Sequence, residues 1–220
     1  SVVGNALFVR AGQAVSVSGA INTGNPARPA DPVSGIFSVD IESAGGISLA
    51  NVTADNADHD VRVVSTGGTV NAGIVTANRN VIVEGNSLTL TSATATTGNL
   101  SLTARNAHIA LGTGFAGGIA QITAATAGNG DVTIVNRLDT VGDAKITSGA
   151  AVRVPVVSST AGDVIINAGA NVTGATVGAR ASLSAGGANK RVLVEASNGT
   201  VLLDSVNAGT GAGVLAGEQV

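Results

Sequence analysis

Short apolar runs recur along this chain, about 20 residues apart at first and at irregular gaps of roughly one to two such units later, and that repeat constrains the fold more than any other feature. The clearest are Val61-Arg62-Val63-Val64, Val81-Ile82-Val83, Leu100-Ser101-Leu102, Val132-Thr133-Ile134, Val164-Ile165-Ile166 and Val192-Leu193-Val194. A second set lies between them, around Val70, Leu88-Thr89-Leu90, Val152-Arg153-Val154 and Val201-Leu202-Leu203. Each run alternates with period two and is bounded by Gly, Asn or Asp, the pattern of a short half-buried strand. A unit of this size cannot bury its apolar face alone, so successive units must stack. The expected fold is all-β: a right-handed parallel β-helix (β-solenoid) with about 20-residue rungs, roughly eleven of them, forming a rod on the order of 50 Å long.

Two local formulae support that reading. One is Gly followed by Asp or Asn and then alternating apolar residues, at Gly98-Asn99-Leu100, Gly130-Asp131-Val132, Gly142-Asp143-Ala144 and Gly162-Asp163-Val164. In it, Gly is expected to supply a turn with positive φ, and Asp or Asn to cap the turn backbone. The other is a strand pair, Val81-Ile82-Val83-Glu84 then Leu88-Thr89-Leu90, matched by Val192-Leu193-Val194-Glu195 then Val201-Leu202-Leu203. The composition agrees: 44% is hydrophobic but only 1% aromatic, with three Phe, 31 Gly, and no Trp, Tyr, Met or Cys. A core of Val, Ile, Leu and Ala suits stacked uniform rows, with Ala and Gly at the inward positions near corners. The most helix-like stretch, Gly118 to Ala125, is weakened by its Thr and Gly surroundings.

The whole of residues 1–220 reads as one β-helix segment, expected to be a fragment of a larger protein. Two loop excursions are expected, near residues 22–35 and 112–118. The first holds Pro26, Pro29 and Pro32, which cannot donate to a ladder. The second is Gly-rich around Phe115. Arg28 and Asp31 in the first and Phe115 in the second are the candidate binding-loop residues. A net charge of −3, with eleven Lys and Arg scattered singly, gives no basis for nucleic-acid binding. No apolar run is long enough for a membrane-spanning helix.

The Gly-Asp/Asn repeats with Ala-Gly punctuation, at Gly98 to Ala104, Gly130 to Asn136, Gly162 to Gly169 and Ala179 to Gly187, resemble the filamentous haemagglutinin family. These are large adhesins of Gram-negative bacteria secreted by the two-partner route. The resemblance implies a repeat shaft at the cell surface that mediates attachment or displays a distal effector domain. It also implies an outer-membrane transporter as the partner during secretion, a host or neighbouring-cell glycan or protein as the target, and no catalytic residue or cofactor. A filament subunit polymerising through its ends is the alternative, and a carbohydrate-active β-helix enzyme the third reading.

Candidate sites are few. Asp55, Asp58, His59 and Asp60 form the densest ligand-capable cluster and could hold a divalent cation, although a solvated turn accounts for the same residues. Gly112-Thr113-Gly114-Phe115-Ala116-Gly117 matches a nucleotide-binding G-x-G-x-x-G only if a helix follows it. His108 lacks a carboxylate nearby in sequence. Glu84 and Glu195 should stand several rungs apart, too far to act on one bond. Thr pairs such as Thr89/Thr91 and Thr94/Thr96 read as strand-surface residues, and the Asn-x-Ser/Thr sequences at Asn51, Asn99, Asn171 and Asn198 as ordinary turn or strand Asn.

Overall fold

Period-two alternation carries the chain through one turn of strand after another. The computed structural model describes residues 2–4, 6–23, 37–54, 57–125, 129–174, 180–209 and 211–216. The residues expected to form the loop excursion at 22–35, Arg28 and Asp31 among them, lie outside the described residues from position 24 onward. Among the described residues there is no helix, and so none long and apolar enough to cross a membrane.

The strands begin with β1 (Val2–Gly4), β2 (Leu7–Ala11), β3 (Val15–Val17), β4 (Ile21–Thr23), β5 (Phe37–Ser43), β6 (Ile47–Leu49), β7 (Val52–Ala54) and β8 (Asp60–Ser65). The middle of the chain forms β9 (Val70–Ala77), β10 (Val81–Gly85), β11 (Leu88–Ala95), β12 (Leu100–Ala104), β13 (Ile109–Ala116), β14 (Ala120–Ala124), β15 (Val132–Thr140) and β16 (Ala144–Ser148). Then come β17 (Val152–Arg153), β18 (Val156–Ser159), β19 (Val164–Ala168), β20 (Val172–Thr173), β21 (Ala181–Ala185), β22 (Arg191–Ala196), β23 (Leu203–Ala208) and β24 (Gly211–Ala216).

These strands pair in parallel into a β-solenoid with turns of roughly 22 residues. A ten-stranded sheet runs β2-β5-β8-β10-β12-β14-β16-β19-β22-β24, and a fourteen-stranded sheet forms the rest of the wall. At parallel-strand spacing the ten strands span on the order of 45 Å. Register keeps like residues in columns. In the ten-stranded sheet, one inward column is Val61, Val81, Leu100, Ala120, Ala144, Val164 and Val192, and the next is Val63, Val83, Leu102, Ile122, Ile146, Ile166 and Val194. Every member of these columns is fully buried, and each such Val, Leu or Ile contributes about 1.5–3 kcal/mol.

The wide sheet supplies two further runs per turn. In β9, β11 and β13 a single eight-residue strand makes both, and its inward alternation slips by one residue midway. In β11, for example, Leu88 and Leu90 point inward, Thr91 and Ser92 both face out, and Ala93 and Ala95 point inward again. That slip turns the corner without breaking the ladder. Core volume is balanced between turns: Ala93, Gly114 and Leu138 share a column, and a Cβ on Gly114 would come within 2.7 Å of Leu138 Cδ1.

Several expectations need correction. Val132-Thr133-Ile134 belongs to β15 in the wide sheet, while the other five strand cores of its set lie in the ten-stranded sheet. Residues 112–116 are strand β13 and only Gly117 and Gly118 are bent, so the expected loop at 112–118 is mainly strand. Thr113 and the glycines there keep the register that Ser92 and Ala93 set one turn below. The glycines of the Gly-Asp/Asn formula do not take positive φ; among the described residues, the glycines that do are Gly187 and Gly211. They are small because turns stack closely. A Cβ on Gly98 would meet Arg79 O at 2.5 Å, and one on Gly162 would meet Gly142 C at 2.2 Å. The stretch Gly118 to Ala125 contains strand β14, not a helix.

Candidate functional site

The Asp or Asn of the repeat formula sits where the wall turns into the ten-stranded sheet, and its side chain reaches the turn above. Asp60 Oδ1 accepts the N–H of Asn80 at 2.8 Å, Asn80 Oδ1 that of Asn99 at 2.9 Å, and Asn99 Oδ1 that of Ile119 at 2.8 Å. Higher up, Asp143 Oδ1 accepts the N–H of Asp163 and Asp163 Oδ1 that of Arg191, both at 3.0 Å. Other corners use the same device: Asn51 Oδ1 accepts from Ile74, Asp131 Oδ1 from Ala151, and Asn171 Oδ1 from Thr200. Turn N–H groups that no strand can satisfy are thus paired from the neighbouring turn. Three of the Asn-x-Ser/Thr asparagines, Asn51, Asn99 and Asn171, have this role.

Of the cluster at 55–60, the described residues Asp58, His59 and Asp60 do not gather as a cation site. Asp55 lies outside the described residues. Asp58 takes φ 64°, the left-handed region that Asp tolerates in turns. Asp60 is nearly buried, and both its oxygens are engaged, by Arg79 Nε at 2.8 Å and Nη2 at 2.6 Å as well as by Asn80. His59 is 4% exposed with its Nδ1 unpartnered, and no three acidic or His side chains converge among the described residues.

His108 does meet a carboxylate, one turn on. Its Nδ1 accepts the N–H of Asp131 at 3.0 Å, so it stands in the ladder where Asn would, and Asp131 Oδ2 lies 3.9 Å away. Burial pushes Asp131 up, but the hydrogen bond from Arg153 and that from the Ala151 N–H outweigh it and hold the carboxyl below its ordinary value. Asp143 is lowered chiefly by the Asp163 N–H, with Lys145 adding to it. Near the first turns, Asp40 faces outward in register yet is fully covered by Arg10 and Arg62, at 2.7 and 2.9 Å. Burial raises its carboxyl, and the two arginine hydrogen bonds more than reverse that.

No family model matches this chain, and no curated protein or solved structure does. The resemblance to the filamentous haemagglutinins therefore rests on the repeat style alone.

The remaining candidates separate. Phe115 lies half-buried on the outer face of β13, in register with Thr94 below and Asp139 above, and is part of the wall. The G-x-G-x-x-G match is strand with no helix after it; Gly112 and Gly117 are each small because a carbonyl of the turn below stands 2.2 Å from where a Cβ would be. Glu84 and Glu195 share one outward column with Thr103, Thr123, Thr147 and Asn167 between them, so they are several turns apart. Thr53, Thr76 and Thr94 form a short rank that ends at Phe115.

Sequence reasoning passed over a shallow groove of about 390 Å³ on the outer face of the ten-stranded sheet. Asn80, Ile82, Asn99, Ser101, Ile119 and Gln121 line it. One signal was in the sequence: Gly118-Ile119-Ala120 breaks the Gly-Asp/Asn formula at this turn.

Proposed function

We propose that this chain is a shaft segment of a large secreted bacterial surface protein, serving attachment or holding a distal effector domain away from the cell. The observation that carries the reading is the unbroken stack: ten parallel strands in register, with hydrogen bonds along the rod axis and aliphatic columns inside. Such a ladder resists bending and stretching without disulfides, which suits a chain that crosses an outer-membrane transporter unfolded and folds outside. Support also comes from the acidic side chains a hydrolase would use. Asp60, Asp131, Asp143 and Asp163 are all engaged in turn-to-turn bonds.

Beads carrying the purified chain, overlaid on bacterial or epithelial cell layers, test the attachment arm against beads carrying an unrelated β-protein. Electron microscopy of the same chain tests the shaft arm. Retention above the control, with short separate rods in the micrographs, is the expected result. Regular end-to-end fibres would replace the shaft with a filament subunit, and retention equal to the control would remove attachment.

A further inference from the structure

Between Asp60 and Asp163 the column of Asp and Asn side chains has one exception. Asp60, Asn80, Asn99, Asp143 and Asp163 each pair a backbone N–H of the next turn, but Ile119 occupies the place between Asn99 and Asp143. It accepts nothing from the N–H of Asp143 above it, and its side chain is 40% exposed. A missing hydrogen bond of this kind forgoes about 0.5–1.5 kcal/mol, and the exposed apolar surface brings the fold no return. Departures from a local rule without structural gain mark functional positions. A surface concavity of about 390 Å³ lies at this same turn.

We propose that this groove binds a neutral saccharide. Its volume falls in the range of ligand sites. Ile82, Ser101 and Gln121 stand in register on three successive turns of the outer face, beside Asn80, Asn99 and Ile119 at the corner. None of the six is charged. The nearest charges in these columns are engaged: Asp60 with Arg79, Asp143 with Lys145 at 3.3 Å, and Arg62 with Asp40. A charged ligand would therefore lose solvation without gaining a partner. Among the described residues, no hydrogen bond uses the Asn99 Nδ2, the Ser101 hydroxyl or the Gln121 amide, which leaves paired donors and acceptors for sugar hydroxyls. Ile82 and Ile119 offer aliphatic surface to the C–H face of a pyranose. A peptide strand cannot add here, because the backbone N–H and C=O groups of β10, β12 and β14 are already in the ladder. The neighbouring hydroxyl rank Thr103, Thr123 and Thr147 continues the uncharged surface for a longer chain. Without an aromatic platform, affinity is expected on the order of a millimolar.

This deepens the attachment reading by naming its surface and ligand class, and it is tested apart from cells. The purified chain is titrated, by nitrogen–proton NMR shifts, with short neutral oligomers of hexose and of N-acetylhexosamine, and with uronic-acid and sulfated oligomers. Saturable binding of a neutral oligomer is expected, weakened about tenfold or more in Ile119→Asn and in Gln121→Ala. The melting temperature of Ile119→Asn should hold or rise, since Asn restores an acceptor to Asp143. No saturable binding of any neutral oligomer, binding unchanged in both variants, or tighter binding of the anionic oligomers would overturn the proposal. Bead retention that persists without oligosaccharide binding would leave the attachment reading standing and this groove out of it.

Discussion

The turns from β9 to β13 and those from β16 to β21 use the same alternation, yet their walls differ. In the former, one eight-residue strand crosses the corner, and residue pairs from Leu88 to Ala95 keep register on both sides. In the latter, the crossing strand divides into β17 and β18, and β20 keeps only two residues. Pro155 lies between β17 and β18; it has no N–H to give, though its carbonyl accepts from Ser182. Above Leu111, β15 also carries an irregularity that leaves Val135 55% exposed. A continuous strand needs every corner residue to be small or to donate. Where one does neither, the ladder divides and the side-chain bonds at the turns hold the register.

The comparison can be broken most severely in the core of the regular turns. Leu102→Ala, at a fully buried position, should cost about 2–5 kcal/mol in urea unfolding, and Val214→Ala, half-buried in the mostly exposed β24, about 1 kcal/mol or less. Next comes close stacking. Gly112→Ala places a Cβ 2.2 Å from Thr91 O and should lose roughly 2 kcal/mol, whereas Gly12→Ala, with nothing within 4 Å, should be neutral or slightly stabilising. Thermal melts of the pair would sharpen the distinction, and equal losses would refute it.

Smaller effects concern the turn-to-turn bonds. Asn99→Ala removes one acceptor and should cost about 1 kcal/mol, while Asn99→Asp should keep most of it. The smallest is the acid response. Asp40, Asp131 and Asp143 are held below the ordinary aspartate value when folded, so their contribution is complete above that value, about 3.9, and is lost as pH falls through the lowered ones. The melting temperature should therefore be flat near neutrality and fall below about pH 4. Asp143→Asn, which keeps an acceptor for Asp163, should make that fall shallower.

Much of the wall was legible from the chain. The runs at Val61, Val81, Leu100, Val164 and Val192 are strands of one sheet because strict alternation admits one buried face. The Gly-Asp/Asn formula located corners correctly, but its glycine was misread: the constraint is the backbone of the next turn, and no local φ preference reveals it. The slip at Thr91 and Ser92 hid the corner of β11, since two outward residues in succession also look like a turn. Phe115 looked like a loop tip because glycine flanks it, although Gly114 is small to admit Leu138 from the turn above.

By itself the sequence determined the period, the alternation and the aliphatic interior, which together require parallel stacking. These are local properties, set by which residue types can sit on a pleated strand. Only the tertiary structure decided which side chains meet. Asp60 with Arg79, His108 with Asp131, and Ile119 with Ile82 are separated by about a turn or more along the chain, and register alone brings them together. Stacking converts a distance of about one rung in sequence into a few ångströms in space, so the exception at Ile119 became a groove only once the turns above and below it were in place.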